Sequence, residues 1–391
     1  MFFTRKIRSH KIKNTNEKTW HGRGLRWANN FFILTDNERL YNRTNTRGKR
    51  RPIHFIMSKI LSIGAGVMGT AITVPAVSNG HEAKLVGTNF DEDIINSINK
   101  NSSHPKLGIK LTNTSAIRFN EMSQEDINES EVIVIGISSS GVDWFIDFIK
   151  NFNVTNKHFL IVTKGLYINE KEELDIFPNK IKKQINQDFT LTAVTGPCKA
   201  VELAKKNLTN ICFVNPDLDI AKNLSNIFKN DYYVVNVQTD LLGSELCAAL
   251  KNIYAIAVGY SQTYFSNEEK IFNPESALFS HCVNEMSHFV KLIGGLQETV
   301  YGLSGIGDLH VTSGTGRNGL LGNLLAKNRT YEDIMSKELK DETVEGAQTI
   351  RELDHLFNKL VKQNKLPILD SLVRCICQNE KLHIPWNDLN I

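Results

Sequence analysis

The chain has 391 residues, of which 41% are hydrophobic and 23% are charged, and its formal net charge at pH 7 is +4. These values are typical of a globular protein large enough for two domains. We expect no membrane span, since that needs about 18 consecutive apolar residues, and six scattered cysteines favour reduced thiols over a disulfide framework or a metal site.

The positive charge is concentrated in residues 1–56, where fourteen Lys or Arg stand against three acids and give a balance of +11. The remaining residues therefore carry −7. Three interpretations compete: an extension upstream of a start at Met57, an organelle-targeting segment and a nucleic-acid-binding arm. Because the segment is not clearly amphipathic and no folded basic face accompanies it, we favour a disordered or artefactual extension and expect no nucleic-acid partner.

The stretch "KILSIGAGVMGTAIT", from Lys59 to Thr73, places three glycines between a strand-like and a helix-like segment. Gly64 permits a tight turn, Gly66 leaves no side chain between the backbone and a pyrophosphate, and Gly69 lets the helix lie close to the strand. The first amides of the helix then face the phosphates. In this context the pattern predicts dinucleotide binding.

Strand-like and helical patterns continue to alternate after this turn. Three further strand-like segments are residues 83–88, 131–137 and 210–216. Two others, residues 158–166 and 190–206, are a strand followed by a turn. The alternation predicts a doubly wound, Rossmann-type parallel sheet with right-handed crossovers. Ligands of such sheets bind at the carboxyl ends of strands, so the informative turns follow Ile63, Ile135, Val162 and Val194.

From Asp240 to the end, helical periodicity replaces strand character. We therefore expect an α/β dinucleotide-binding domain over residues 57–238 and an all-helical substrate and catalytic domain over residues 239–391. The cleft between two domains is the default place for chemistry.

Two lysines and one glycine-rich segment are the candidates for that chemistry. Lys251, beside Asn252, interrupts an otherwise apolar helix, where burial would lower its pKa toward the range of a general base, whereas a snorkelling surface lysine is the alternative. Lys164 follows a predicted strand, and an ordinary strand-end lysine is its alternative. Residues 305–322 are interpreted as a glycine-rich loop whose backbone and Arg-Asn pair suit a phosphate, with a solvated surface loop as the alternative. The polar residues of this segment are Asp308, Thr312, Arg317 and Asn318.

Seven short motifs occur in an order that resembles the NAD(P)-dependent glycerol-3-phosphate dehydrogenase family from Met57 onward. They are "GAGVMGTAI", "VTKG", "TGPCKAVE", "LKNIYAIAVG", "GIGDLHVT", "GRN" and "VEG". The resemblance implies interconversion of sn-glycerol 3-phosphate and dihydroxyacetone phosphate, a small phosphorylated three-carbon substrate, with a hydride passing to or from the nicotinamide. It also implies a cytoplasmic homodimer in glycerol phosphate metabolism and phospholipid biosynthesis.

The resemblance assigns roles residue by residue. Lys251 would be the proton acceptor, with Lys164 and Asp308 beside the reacting centre. The implied substrate-binding residues are Lys164, Gly196, Asp308, Thr312, Arg317 and Asn318. The implied cofactor-binding residues are Gly64, Gly66, Val67, Met68, Gly69, Lys164, Ala200, Arg317, Thr343 and Glu345.

Four positions depart from the family's usual pattern. Met68 replaces a tryptophan, Cys198 and Lys199 replace a hydroxyl and an aromatic residue, and Gly316 replaces a serine. Two hydroxyls on the substrate side are therefore missing, and Lys199 could supply another charge to a phosphate.

Cofactor choice is only partly visible, because the second strand ends at Asn89 with neither an acid for a ribose hydroxyl nor an arginine for a 2′-phosphate. We favour NAD over NADP. Two rival functions stay open: a related dehydrogenase with a different hydroxy or phosphorylated substrate, and a non-catalytic dinucleotide sensor. Retention of the two lysines argues against the sensor.

Overall fold

The computed structural model describes residues 57–265 and 271–389, with nothing said of the Thr315 side chain. The basic segment 1–56, and with it our interpretation of a disordered or artefactual extension, lies outside the described residues.

Twelve strands form in the described part of the chain. They are β1 (Lys59–Ile63), β2 (Glu82–Gly87), β3 (Ser103–His104), β4 (Ile109–Lys110), β5 (Thr114–Arg118), β6 (Val132–Ile135), β7 (His158–Ile161), β8 (Leu166–Ile168), β9 (Leu174–Ile176), β10 (Thr190–Thr195), β11 (Thr209–Val214) and β12 (Tyr233–Gln238). Eight of them build one sheet in the order β12-β11-β10-β7-β6-β1-β2-β5, while β3–β4 and β8–β9 form two-stranded sheets.

The large sheet is parallel except where β10 meets β11. The predicted doubly wound parallel sheet is therefore confirmed, with one correction: β11 and β12 run opposite to the other six strands. The strand order reverses at β1, which pairs with β2 on one side and β6 on the other. The carboxyl end of β1 is thus the switch point at which such sheets bind ligands.

Successive residues of the central strands face two different apolar cores. In β6, Ile133 and Ile135 pack with Phe145 on one face, whereas Val132 and Val134 share the other core with helix residues such as Ile72. Because side chains alternate along a strand, burial of both faces requires an unbroken apolar run. This explains the nearly all-apolar sequence of β6 within the predicted strand at residues 131–137.

Seventeen α-helices form among the described residues. They are α1 (Val67–Ala71), α2 (Thr73–Ser78), α3 (Glu92–Asn101), α4 (Gln124–Glu129), α5 (Val142–Ile149), α6 (Phe177–Gln184), α7 (Ala200–Ala204), α8 (Leu218–Phe228), α9 (Leu241–Tyr264), α10 (Asn273–Ile293), α11 (Gln297–Val300), α12 (Asp308–Thr315), α13 (Arg317–Leu325), α14 (Tyr331–Ser336), α15 (Glu345–Glu352), α16 (Asp354–Gln363) and α17 (Pro367–Cys377). The described residues after β12 contain no strand, as predicted for the second half.

Helix α9 is the central element of the helical region. Its 24 residues pack against α10, α12, α13 and α15. Among the described residues it is the one helix long and apolar enough to cross a membrane, but 94% of its most apolar window is buried inside the fold. Its apolar character is therefore that of a core helix.

The predicted glycine-rich loop at residues 305–322 is wrong, because this segment is almost entirely helical. A short π-helical turn, Leu303–Gly307, leads into α12, and Gly316 separates α12 from α13. A Cβ on Gly322 would overlap the Ile256 carbonyl oxygen. Gly322 therefore allows close helix packing, which outweighs the low helix propensity of glycine, about 1 kcal/mol per residue.

Candidate active site

The glycine turn after β1 is shaped by close contact between backbones. Gly64 has a φ of +104°, a conformation that favours glycine, and a Cβ there would overlap the carbonyl oxygen of Gly136 in the turn after β6. A Cβ on Gly69 would overlap the Gly64 carbonyl oxygen, whereas one on Gly66 would meet nothing within 4 Å. The turn therefore packs tightly against the sheet while leaving open space at Gly66, the opening that a pyrophosphate requires.

The hydroxyl of Ser62 holds α1 on this turn, since its Oγ donates to the Gly69 carbonyl oxygen at 2.8 Å. Gly66 directly precedes α1. Because glycine has no side chain, it does not cap the first amides of the helix.

Two lysines meet at one carboxylate on the other side of the site. Lys251 Nζ, on α9, donates to Asp308 Oδ1 at 2.5 Å, and Lys164 Nζ lies 3.6 Å from Asp308 Oδ2. Lys164 Nζ also donates to the Val194 carbonyl oxygen at 3.4 Å. The structure thus brings together three residues that are widely separated in the chain.

Burial lowers the pKa of Lys251 below its usual range, because the apolar surroundings disfavour the ammonium. The Asp308 carboxylate opposes this shift of the Lys251 pKa, and the charge of Lys164 reinforces it. With 9% of its surface exposed, Lys251 is not the snorkelling surface lysine of the alternative interpretation. The amine is therefore placed to exchange a proton at a site partly shielded from water.

A hydrogen-bond chain fixes the residue beside Lys251. Asn252 Oδ1 accepts from Asn318 Nδ2 at 3.1 Å, and Asn252 Nδ2 donates to Glu345 Oε2 at 3.1 Å. Asn318 Oδ1 in turn accepts from the Gly346 amide at 2.8 Å. These bonds join α9, α13 and α15 behind the site.

Hydroxyls connect the π-helical turn to the sheet. Ser304 Oγ lies 2.7 Å from Thr195 Oγ1 at the end of β10 and accepts from Gln238 Nε2 at 2.7 Å. Asp308 follows Ser304 by one helical turn, so these bonds set the position of Asp308 relative to the strand ends.

A cavity of about 510 Å³ unites the two sides of the site. Its lining residues are Val67, Cys198, Lys199, Ala200, Val201, Glu202, Lys251, Asn252, Asp308, Val311, Thr312, Gly316, Arg317, Asn318 and Glu345. Val67 comes from the glycine turn, while Lys251 and Asp308 come from the helical region. Predicted site residues from both the sheet region and the helical region therefore line the same cavity.

Other candidates lie at or beyond the margin of this cavity. Lys164 does not line the cavity itself, but its Nζ lies 3.6 Å from Oδ2 of Asp308, which does. Gly196 has a φ of +108° and packs against Ile211 and Leu303. The remaining candidates outside the lining are Gly64, Gly66, Met68, Gly69 and Thr343.

Arg317 is half-exposed at the rim of the cavity. Its Nη1 lies 3.2 Å from Glu342 Oε2, and its Nη2 lies 3.8 Å from Glu345 Oε1. An anion that enters the cavity thus meets a guanidinium already shared between two carboxylates.

Glu245 is a buried carboxyl that our sequence reasoning missed. It lies on α9 with 1% of its surface exposed, and its Oε2 has no hydrogen-bond partner among the described residues. Burial raises its pKa to about 7, and the charge of Lys164 opposes that rise. The signal was available, because Glu245 interrupts the same apolar helix that drew attention to Lys251.

Sequence profiles of one family cover almost all of the described chain. The N-terminal profile of NAD-dependent glycerol-3-phosphate dehydrogenase matches residues 59–221, and the C-terminal profile matches residues 240–385. The chain belongs to this family. The match spans both the glycine turn and the Lys251–Asp308 pair.

Curated relatives and solved structures of the family agree with this membership. The chain is 34% identical to an NADP(+)-dependent glycerol-3-phosphate dehydrogenase of Archaeoglobus fulgidus, over 82% of this chain and 95% of that protein. It is 27% identical to a glycerol-3-phosphate dehydrogenase [NAD(P)+] of Bacillus cereus, over 81% and 90%. The crystal structure of glycerol-3-phosphate dehydrogenase from Coxiella burnetii shares the fold, with a TM-score of 0.70, 22% identity and coverage of 85% and 98%.

Proposed function

We propose that this chain is an oxidoreductase that interconverts sn-glycerol 3-phosphate and dihydroxyacetone phosphate, with NAD or NADP as the hydride carrier. The observation that supports this most directly is the buried Lys251–Asp308 pair, which lines the same cavity as Val67 of the glycine turn. A dehydrogenase needs a proton-exchanging group beside its dinucleotide, and this arrangement supplies one. A dinucleotide sensor would need the turn but not the pair.

The residues around the glycine turn fit a dinucleotide. Gly66 leaves open space where a pyrophosphate would approach the backbone, and Val67 and Ala200 line the adjoining cavity. When bound, the nicotinamide accepts or supplies the hydride. We assign the remaining cofactor contacts to Gly64, Met68, Gly69, Lys164, Arg317, Thr343 and Glu345.

Lys251 exchanges the proton that accompanies hydride transfer. In the oxidative direction its neutral amine accepts the proton of the C2 hydroxyl as the hydride leaves C2. In the reductive direction its ammonium returns that proton to the ketone oxygen. Asp308 holds the amine in place through the 2.5 Å bond, and Lys164 adds positive charge beside the reacting oxygen.

The far end of the substrate is a phosphate, and the helical side of the cavity binds it. Arg317 supplies a planar, bidentate donor, Asn318 an amide and Thr312 a hydroxyl. Gly196 keeps the end of β10 free of a side chain. Binding energy from the phosphate orients the carbon that reacts.

Residues 57–238 form the dinucleotide-binding domain in this proposal, and residues 239–391 the substrate and catalytic domain. The resemblance also supports a cytoplasmic homodimer in glycerol phosphate metabolism and phospholipid biosynthesis. For the cofactor, Asp91 after β2 is buried and accepts from the amide and hydroxyl of Thr88 at 2.9 and 2.8 Å. This carboxylate is thus already bonded to Thr88, and the preference for NAD over NADP stays a prediction.

The test mixes the purified protein with dihydroxyacetone phosphate and NADH, then NADPH, and follows oxidation of the reduced cofactor by absorbance. Turnover with this ketone is the expected result. Turnover only with a different ketone would favour the related dehydrogenase, and cofactor binding without turnover on any ketone would favour the sensor. A protein that starts at Met57 should have the same rate and stability if residues 1–56 are dispensable.

A further inference from the structure

Lys199 is a cation of the cavity to which the proposed mechanism gives no role. It directly precedes α7, lines the cavity together with Lys251 and Arg317, and keeps 37% of its side chain exposed. Its ammonium thus has room to move on the four-carbon stem.

The other cations of the site are held by carboxylates. Lys251 and Lys164 share the carboxylate of Asp308, at 2.5 and 3.6 Å. Arg317 lies between Glu342 and Glu345, at 3.2 and 3.8 Å. Each of these pairs competes with an incoming anion.

Lys199 is less buried than Lys251 and Lys164 and has fewer carboxylate contacts than the half-exposed Arg317. Within the described part of the chain its ammonium contacts one carboxylate, Glu202 Oε1 at 3.7 Å, three residues along the same helix. The side chains of both partners are more than one-third exposed. An exposed pair of this kind contributes little to stability, so the ammonium can leave Glu202 at little cost.

Without Lys199, the carboxylates that line the cavity outnumber its two other cations, Lys251 and Arg317. Three carboxylates line it, those of Glu202, Asp308 and Glu345. A phosphate monoester brings about two further negative charges near pH 7. The neighbouring positions add little, since Cys198 carries a weakly hydrogen-bonding thiol and Gly316 carries no side chain.

We propose that Lys199 leaves Glu202 to bind the substrate's phosphate together with Arg317, and that it thereby determines specificity for phosphorylated over unphosphorylated three-carbon substrates. This inference rests on the proposed function. It assigns Lys199 to substrate binding and gives it no part in proton or hydride transfer.

The experiment compares Lys199→Met and Lys199→Arg with the wild-type protein and with Lys205→Met, which removes an exposed lysine outside the cavity lining, next to the other end of α7. Calorimetry measures binding of sn-glycerol 3-phosphate to the NADH-loaded protein, in which the cofactor is already reduced and no hydride transfer can follow binding. Steady-state kinetics compare dihydroxyacetone phosphate with dihydroxyacetone, and fluorescence titration measures NADH binding. Thermal unfolding verifies that each variant is folded.

We expect Lys199→Met to weaken glycerol 3-phosphate binding and to raise KM for dihydroxyacetone phosphate by about 10- to 100-fold, with a smaller change in kcat. Lys199→Arg should restore most of the affinity, and Lys205→Met should behave as wild type. Values of kcat/KM for dihydroxyacetone and affinity for NADH should stay within about twofold in all variants.

Unchanged glycerol 3-phosphate binding in Lys199→Met would overturn the inference. So would an equal loss with dihydroxyacetone, or a loss of NADH affinity in place of substrate affinity, since the lysine would then act on the reacting end or on the cofactor. If the wild-type protein neither binds glycerol 3-phosphate nor reduces dihydroxyacetone phosphate, the proposed function fails as well, which distinguishes the two failures.

Discussion

The two sides of the cavity are built by opposite means. On the sheet side, the turn at Gly64 and Gly66 is shaped by missing side chains, so that backbones touch at one glycine and space opens at the next. On the helical side, Lys251, Asp308 and Asn318 are polar side chains buried among apolar helices. Added atoms should therefore damage the first side, whereas removed charges or hydrogen bonds should damage the second.

The largest effect should come from the helical side. Lys251→Ala removes the proton-exchanging amine, and we expect kcat to fall by about 10²- to 10⁴-fold, the usual contribution of general acid–base catalysis. Affinity for NADH should change little, because the glycine turn is intact. Steady-state kinetics and fluorescence titration measure the two quantities, with the exposed Lys291→Ala as the control; an equally active Lys251→Ala would refute the assignment.

The next largest effects are expected on the sheet side, where substitutions at Gly64 and Gly66 should have different consequences. Gly64→Ala forces an alanine into a positive φ and against the Gly136 carbonyl oxygen, so the free energy of unfolding should fall by about 1–3 kcal/mol or more. Gly66→Ala meets nothing in the protein, so its stability should equal the wild type while NADH affinity falls about tenfold or more. Denaturant unfolding and titration test both; full NADH affinity in Gly66→Ala would contradict the pyrophosphate placement.

The pH dependence of the reaction should report the charges around Lys251. Glycerol 3-phosphate oxidation needs the neutral amine, so its rate should rise as pH increases through the lowered pKa of Lys251, while ketone reduction falls. Asp308 raises that pKa and Lys164 lowers it, so Asp308→Asn should move the midpoint to lower pH and Lys164→Met to higher pH. Midpoints that move together would show that Lys251 is not the titrating group.

The smallest effects are expected from substitutions of two buried glutamates of the helical region, Glu245 and Glu285, on the free energy of unfolding. Burial raises the pKa of both Glu245 and Glu285 to about 7. Glu285 accepts from the amides of Ile368 and Leu369 and from the Tyr254 hydroxyl, whereas Glu245 Oε2 has no partner in the part of the chain that the structure describes.

The Glu245 carboxyl holds its proton more tightly in the folded state than in the unfolded state. The contribution of Glu245 to the free energy of unfolding therefore falls as the pH rises from 4.5, the ordinary pKa of a glutamate, to about 7, its pKa in the folded state. Glu245→Gln should remove that fall and raise the free energy of unfolding at pH 8 by about 1–2 kcal/mol. Glu285→Gln should destabilise by a similar amount, because an amide oxygen replaces a carboxylate that accepts three bonds. Denaturant unfolding at pH 5 and 8 compares them, and a destabilised Glu245→Gln would show an unrecognised hydrogen bond.

The sequence predicted most of the fold because local pattern and burial agree in it. The unbroken apolar run of β6 and the strand–glycine–helix order around Gly64 each have one simple interpretation. The reversed direction of β11 was not predictable, because an apolar strand carries no sign of its direction. Strands β5 and β12 were missed because each lies towards an edge of the sheet, where exposed polar residues interrupt the pattern.

The site was predictable where a charge interrupts an apolar helix, as at Lys251, and the same rule would have found Glu245. The segment 305–322 was misread because glycine is permissive: it forms loops, but it also lets helices touch. Only the tertiary contact of Gly322 with Ile256 decides between these possibilities. Arg317 and Glu342 are separated by 25 residues in the chain, so no local sequence pattern predicts that they pair.

Helix α9 meets α13 and α15 at three glycine contacts, where Gly259 faces Gly319, Gly322 faces Ile256 and Gly346 faces Asn252. A larger residue at any of these crossings would push the helices apart and so displace Lys251, which α9 carries, from Asp308. Lys199 lies outside these crossings, directly before α7, so a substitution there leaves the packing of α9 intact. Substrate affinity can therefore be altered in this chain without disturbing the helix that holds the proton-exchanging lysine.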